Sequence, residues 1–98
     1  MKTKKSMNEL YYWDYSAISG DTAYFYFTAP DDYKDFVEVE DDNVLLCVEY
    51  WVDEDKVAKV ASWCTKEGDM IEESEFYALS DEQMSKYREI CKKKIAEA

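Results

Sequence analysis

The sequence predicts an α+β fold: an antiparallel β-sheet of five to six strands, meander-like, with one C-terminal α-helix packed on one face. Three observations lead there. Apolar and polar residues alternate through most of the chain up to Thr65, which is the period of a strand. The alternating segments are joined by short turns rich in Gly, Asp and Asn, and short connections make sequential strands antiparallel neighbours. From Ser80 onward the spacing of apolar residues changes to that of a helix.

The elements follow in order. Leu10 to Ala17 is a first strand, with Tyr11, Trp13, Tyr15 and Ala17 on one face and Tyr12 on the other. Ser19-Gly20-Asp21 turns the chain into Thr22 to Ala29. There Ala23, Phe25, Phe27 and Ala29 share one face while Tyr24 and Tyr26 share the other, so the two strands read as a hairpin. Pro30-Asp31-Asp32 ends it. A short strand is expected from about Asp35 to Glu40, then an Asp41-Asp42-Asn43 turn. Val44 to Val52 is the clearest strand, with Val44, Leu46, Val48, Tyr50 and Val52 on one apolar face. Val57 to Thr65 follows a turn at Asp53 to Lys56, and Lys66 to Asp69 turns again. Met70 to Ala78 reads as a further strand, although Glu72-Glu73-Ser74-Glu75 has weak β-propensity.

The helix is expected over 81–97. Ser80 is a good N-cap with Gln83 three residues on, the spacing of a capping box, and Leu79 and Met84 stand where a hydrophobic staple requires them. Met84, Tyr87, Cys91 and Ile95 form the apolar stripe. Asp81 and Glu82 at the start and Lys92, Lys93 and Lys94 near the end complement the helix dipole.

The 98 residues are expected to form one domain, with residues 1–7 as a flexible basic leader. Aromatic richness (nine Tyr, three Trp, four Phe) opposes disorder. Cys47, Cys64 and Cys91 match neither a disulfide framework nor a zinc pattern, so reduced thiols in a cytoplasm are expected. No run is long enough to span a membrane. The net charge of −11 opposes direct binding to nucleic acid or an anionic membrane.

The charge is concentrated. From Asp31 to Asp55 there are 11 acids and one base, Lys34. A second block, Glu67 to Glu82, has seven acids and no base. In a meander the turns alternate between the sheet ends. One end then collects Asp21, Asp41, Asp42, Glu67 and Asp69, and the other Asp31, Asp32, Asp53, Glu54, Asp55, Asp81 and Glu82. Glu38 and Glu40 on an extended strand stand about 6.8 Å apart, near the spacing of successive phosphates. Turns are Asp-rich for conformational reasons alone, and acids aid solubility. Clustered like charge nevertheless costs stability, which solubility does not require.

Without histidine the chain lacks the commonest general base and any Ser-His or Cys-His pair. The acidic turns do not match a calcium loop, and no Gly-rich phosphate cradle is present. No catalytic residue, metal ligand or cofactor is therefore assigned. Acids interleaved with exposed Tyr and Trp point to a protein partner. The residues expected to contact it are Asp31, Asp32, Glu38, Glu40, Asp41, Asp42, Asp53, Glu54, Asp55, Tyr12, Tyr24 and Tyr26.

No motif assigns a family. In size, charge and aromatic richness the chain resembles the small acidic inhibitors encoded by phages and mobile elements. That resemblance implies a non-enzymatic nucleic-acid mimic that fills the basic groove of a nuclease, of anti-CRISPR or anti-restriction type. An immunity protein against a basic toxin, a small intracellular adaptor or structural domain, and a metal-dependent enzyme at the Asp-rich end are the alternatives.

Overall fold

A computed structural model of the chain describes residues 10–19, 21–38, 44–72 and 74–97, with 11–19 described by their backbone. Its strands are β1 (Leu10–Ser19), β2 (Thr22–Thr28), β3 (Leu45–Trp51), β4 (Lys56–Val57), β5 (Val60–Cys64) and β6 (Tyr77–Ala78), followed by helix α1 (Asp81–Glu97). All pairings are antiparallel, in the order β1-β2-β3-β5-β6, with β4 also on β3. The sheet-plus-C-terminal-helix fold is the one the sequence predicts.

Register explains the core. Ala23, Phe25 and Phe27 of β2 stand opposite Tyr50, Val48 and Leu46 of β3, and Leu46 stands opposite Trp63 of β5. Side chains at paired positions share a face, and all seven are buried. Helix α1 lies on this face. Its buried Gln83, Tyr87 and Cys91 follow a helical stripe, and Tyr87 packs 4.3 Å from Phe27, ring centre to ring centre. The capping box forms as its sequence dictates: the Gln83 amide N–H donates to Ser80 Oγ at 3.1 Å, and the Ser80 N–H to Gln83 Oε1 at 2.8 Å.

The expected strand at 35–40 is corrected over 35–38. The chain instead leaves Pro30 through a 3-10 turn at Tyr33–Asp35, with the Tyr33 N–H on the Pro30 carbonyl at 3.1 Å. That turn drops Val37 into the core and sets Phe36 against Trp63 and Tyr77, at ring distances of 5.6 and 5.1 Å. Residues 39–43, with the expected Asp41-Asp42-Asn43 turn, lie outside the described residues.

Three further expectations change. The run from Val57 to Thr65 is broken after Val57, because Asp55 adopts a left-handed backbone (φ 53°) and the Ala58 N–H bonds the Glu49 carbonyl, so pairing resumes at Val60. Met70 to Ala78 keeps only a bridge from Met70 to Cys64 and the two residues of β6. Strand β1 pairs Leu10 with Phe27 but Tyr12 with Tyr26, and Asp14 with Tyr24 but Ser19 with Thr22. These bulges interrupt the even alternation expected of it. The turn at Lys66–Asp69 forms as expected, and Gly68 supplies its positive φ of 92°.

Tyr87 Oη is buried and has no hydrogen-bond partner among the described residues. Burial accordingly pushes its hydroxyl well above the usual tyrosine range. An unpartnered buried hydroxyl costs about 1–3 kcal/mol. Tyr87→Phe keeps the ring on Phe27 and removes that cost, so it is expected to raise unfolding stability by about 1 kcal/mol. A lower urea midpoint would show instead that the hydroxyl is satisfied in solution.

Candidate functional site: the helix-free sheet face and its acidic ends

Because α1 covers the Phe25–Phe27 face, the alternate residues of each strand form a second face without a helix. Across it run Tyr24 with Glu49, Tyr26 with Cys47 and Ser62, and Thr22 with Trp51. Tyr24, Tyr26, Glu49 and Trp51 are half-buried, each presenting part of its side chain to solvent. The sequence placed Tyr24 and Tyr26 correctly on this side. Tyr12 pairs with Tyr26 in register, and its side chain lies outside what is described.

The two cysteines of this face are poor nucleophiles. Burial raises the Cys47 thiol to about 11, against weaker lowering by hydrogen bonds from Ser62 and Tyr26. Burial likewise raises Cys64 to about 12. Both are protonated at neutral pH, and the thiolate is the reactive form. Among the described residues no three carboxylates or thiols come together as a metal would require.

The acidic ends are arranged differently from the expected partition. With no strand at 35–38, β2 pairs directly with β3, and every later turn changes ends. Asp21 now sits beside the Asp53–Asp55 turn, where the Val52 N–H bonds the Asp21 carbonyl at 2.7 Å. Asp31 and Asp32 share the opposite end with the Lys66–Asp69 turn, since Thr28 pairs with Leu45 and Leu45 with Cys64. Helix α1 begins beside Lys59, whose carbonyl accepts the Leu79 N–H. Seven-residue strands separate the two ends by roughly 23 Å, shorter than the roughly 30 Å of a nine-residue strand. Glu38 is exposed but not on a strand, so its phosphate-like spacing to Glu40 loses its basis. Glu40, Asp41 and Asp42 lie outside the described residues.

Asp31, Asp32, Asp35, Glu38, Asp53 and Glu54 are all exposed. Glu54 pairs with Lys56 at 3.4 Å. No salt bridge reaches Asp32, Asp35, Glu38 or Asp53 among the described residues. Four of the five bases of α1 are used elsewhere: Lys86 on Glu82 (3.3 Å), Lys94 on Glu97 (3.7 Å), and Arg88 and Lys92 on Asp55.

Asp55, expected to contact a partner, is instead engaged inside the protein. Tyr50 Oη donates to its Oδ1 at 2.5 Å, and Arg88 Nη2 donates to its Oδ2 at 2.5 Å. Arg88 Nε donates to the Asp55 carbonyl at 2.7 Å, and Lys92 Nζ stands 3.7 Å from Oδ2. Aspartate is among the few residues that tolerate the left-handed conformation found here. The residue thus ties the β3–β4 turn to α1.

The Tyr50 hydrogen bond, then the Arg88 hydrogen bond and charge and the Lys92 charge, hold the Asp55 carboxyl below its ordinary 3.8, against an opposing effect of burial. Its stabilising contribution is complete above that ordinary value and lost as pH falls through the lower folded one. Tyr50 is shifted oppositely. Burial, then the Asp55 hydrogen bond and charge, raise its hydroxyl from 10 to about 12, so its contribution is complete below pH 10 and lost as pH climbs towards 12. Asp55→Asn is expected to melt several degrees lower than wild type at pH 7, with the gap closing below pH 3.8. A gap independent of pH would sink the latch.

Beside this latch a groove of about 670 Å³ runs between β4, β5 and the first half of α1, lined by Trp51, Lys56, Lys59, Val60, Met84 and Arg88. Lys56 Nζ lies 5.2 Å from the centre of the Trp51 ring. Arg88 is already committed to Asp55 and Glu89.

Sequence reasoning missed three exposed apolar side chains. Val60, Met70 and Phe76 are 47%, 60% and 66% exposed. Their signal was the pair Phe76-Tyr77: adjacent residues of an extended chain cannot both face the core. No described helix is long and apolar enough to cross a membrane. Comparison with known proteins finds no family model, curated protein or solved structure that matches the chain.

Proposed function

We propose that this protein is a non-enzymatic inhibitor that binds a basic protein surface. In the sharper form of the reading it occupies the nucleic-acid groove of a nuclease or related enzyme, as phage- and mobile-element-encoded inhibitors do, and works in the cytoplasm. Asp31, Asp32 and Glu38 at one end of the sheet and Asp53 and Glu54 at the other meet the partner's bases. Tyr24 and Tyr26 lie between them. Asp55 is left out, because its carboxylate is already used by Tyr50 and Arg88.

The observation that carries the reading is the separation of charge. Four of the five helix bases pair with helix acids or with Asp55, while Asp32, Asp35, Glu38 and Asp53 stand exposed without a salt bridge among the described residues. Exposed, unneutralised like charge costs folding stability and raises the rate of association with a surface of opposite sign.

The test is capture on the immobilised protein from a nuclease-treated bacterial lysate, eluted along a salt gradient. A basic nucleic-acid enzyme that is released by moderate salt and displaced by added DNA supports groove filling. A partner indifferent to both overturns it and favours the adaptor reading, in which the half-buried aromatics make the contact.

A further inference from the structure

We infer that the groove between β4, β5 and the first half of α1 binds a small organic anion with a flat apolar body, of the aromatic carboxylate or sulfonate class. This goes beyond the reading above, since the ligand's charge is opposite to that of the proposed partner and other side chains receive it.

The groove is built into the backbone. The left-handed Asp55 turns the chain into β4, and the Ala58 N–H on the Glu49 carbonyl at 3.0 Å offsets it before β5. The Lys59 carbonyl then accepts the Leu79 N–H at 2.9 Å, one residue before the Ser80 cap of α1. Arg88 is held on Asp55 from the helix side. Both walls are therefore fixed before a ligand arrives, and a preformed site loses less entropy on binding. Its volume of about 670 Å³ falls within the range of about 300–1,000 Å³ for small-molecule sites.

The lining identifies the occupant. Trp51, Val57, Val60 and Met84 supply apolar surface. A half-buried indole and a pliable thioether suit a flat ring. Three bases, Lys56, Lys59 and Arg88, line the groove against one acid, Glu49, in a chain of net charge −11. The lining is thus opposite in sign to the whole. Arg88 is balanced by Asp55 and Glu89. Lys59 makes no salt bridge among the described residues, and its exposed ammonium is the group left to meet an anion. Lys56 stands second. Its exposed pair with Glu54 at 3.4 Å is of small value, and it is held 5.2 Å from the centre of the Trp51 ring. An uncharged ligand gains only the apolar contacts, and a cation meets the wrong sign.

The probe is 8-anilinonaphthalene-1-sulfonate, compared with its uncharged parent N-phenyl-1-naphthylamine by fluorescence titration of the full chain. The sulfonate is expected to bind one-to-one and at least about tenfold more tightly than the parent, the effect of one charge-assisted hydrogen bond. Lys56→Gln with Lys59→Gln is expected to remove that preference, and Val60→Ser to weaken both probes. Lys93→Gln, outside the groove, also removes a positive charge and is expected to leave both probes unchanged. All four side chains are exposed, so the fold is retained, which an unchanged urea midpoint verifies. Equal binding of the two probes, a preference that survives both glutamines, or its loss in Lys93→Gln overturns the site. Bound sulfonate is expected to be displaced by 1-naphthoate. Equal displacement by pentaglutamate assigns the groove to acidic peptides and overturns the small-molecule ligand. None of these variants alters Asp31, Asp32 or Asp53, so capture of a basic partner stands or falls separately.

Discussion

Trp63→Ala is expected to cost about 3–5 kcal/mol of unfolding free energy, the range for deleting a fully buried large aromatic. Trp63 is 0% exposed, next to the last residue of β5. Its ring stacks on Phe36 and meets Tyr77 edge-on, and its indole N–H donates to the Glu75 carbonyl. One side chain thus ties together the 3-10 turn, the sheet and the loop before β6. For a domain of this length each kcal/mol moves the melting temperature by about 4–8 °C. Trp63→Phe keeps most of the ring contact but leaves the Glu75 carbonyl short of a donor, an expected loss of about 1–2 kcal/mol. Urea denaturation read by far-UV circular dichroism checks both. An alanine variant within about 1 kcal/mol of wild type would mean that this cluster does not hold the sheet.

Replacing Asp31, Asp32 and Asp53 with Asn and Glu54 with Gln is expected to slow association with the captured basic partner by about 10- to 100-fold at low salt. Steered encounters reach about 10⁸–10⁹ M⁻¹s⁻¹ and neutral ones about 10⁵–10⁶. Dissociation should change far less, because exposed rim charges act before contact. The salt dependence should flatten with the rate, since screening removes the same interaction. Stability should hold or rise slightly. The Glu54–Lys56 ion pair that is lost is solvent-exposed and of small value, while self-repulsion falls. Stopped-flow mixing across a salt series reads all of this. An unchanged association rate would reduce these acids to solvated turn residues.

The sequence resolved those parts of the fold whose local pattern and tertiary environment agree. Alternation in Thr22–Thr28 and Leu45–Trp51 survives because one face is buried under α1. The helix boundaries follow from Ser80 and Gln83, whose cap closes within four residues. The segment at 35–38 was misread because Phe36 and Val37 are satisfied by partners remote in sequence, chiefly Trp63 and Tyr77. A short apolar run carries no record of such partners. That one error moved Asp53, Glu54 and Asp55 to the other end of the sheet. The role of Asp55 was equally hidden, since its partner Arg88 lies 33 residues away. Acid counting cannot distinguish a carboxylate offered to solvent from one already held.

The placement of five of the chain's bases on one helix has a consequence for the approach to a partner. With five bases against four acids on α1 and a strong excess of acids in the loops, the centres of positive and negative charge do not coincide among the described residues. The described part of the molecule therefore carries an electric dipole moment in addition to its net charge. The field of a cationic surface exerts a torque on such a body as well as a pull. It turns α1 outward before contact, which shortens the rotational search that ordinarily holds protein association well below the diffusion limit.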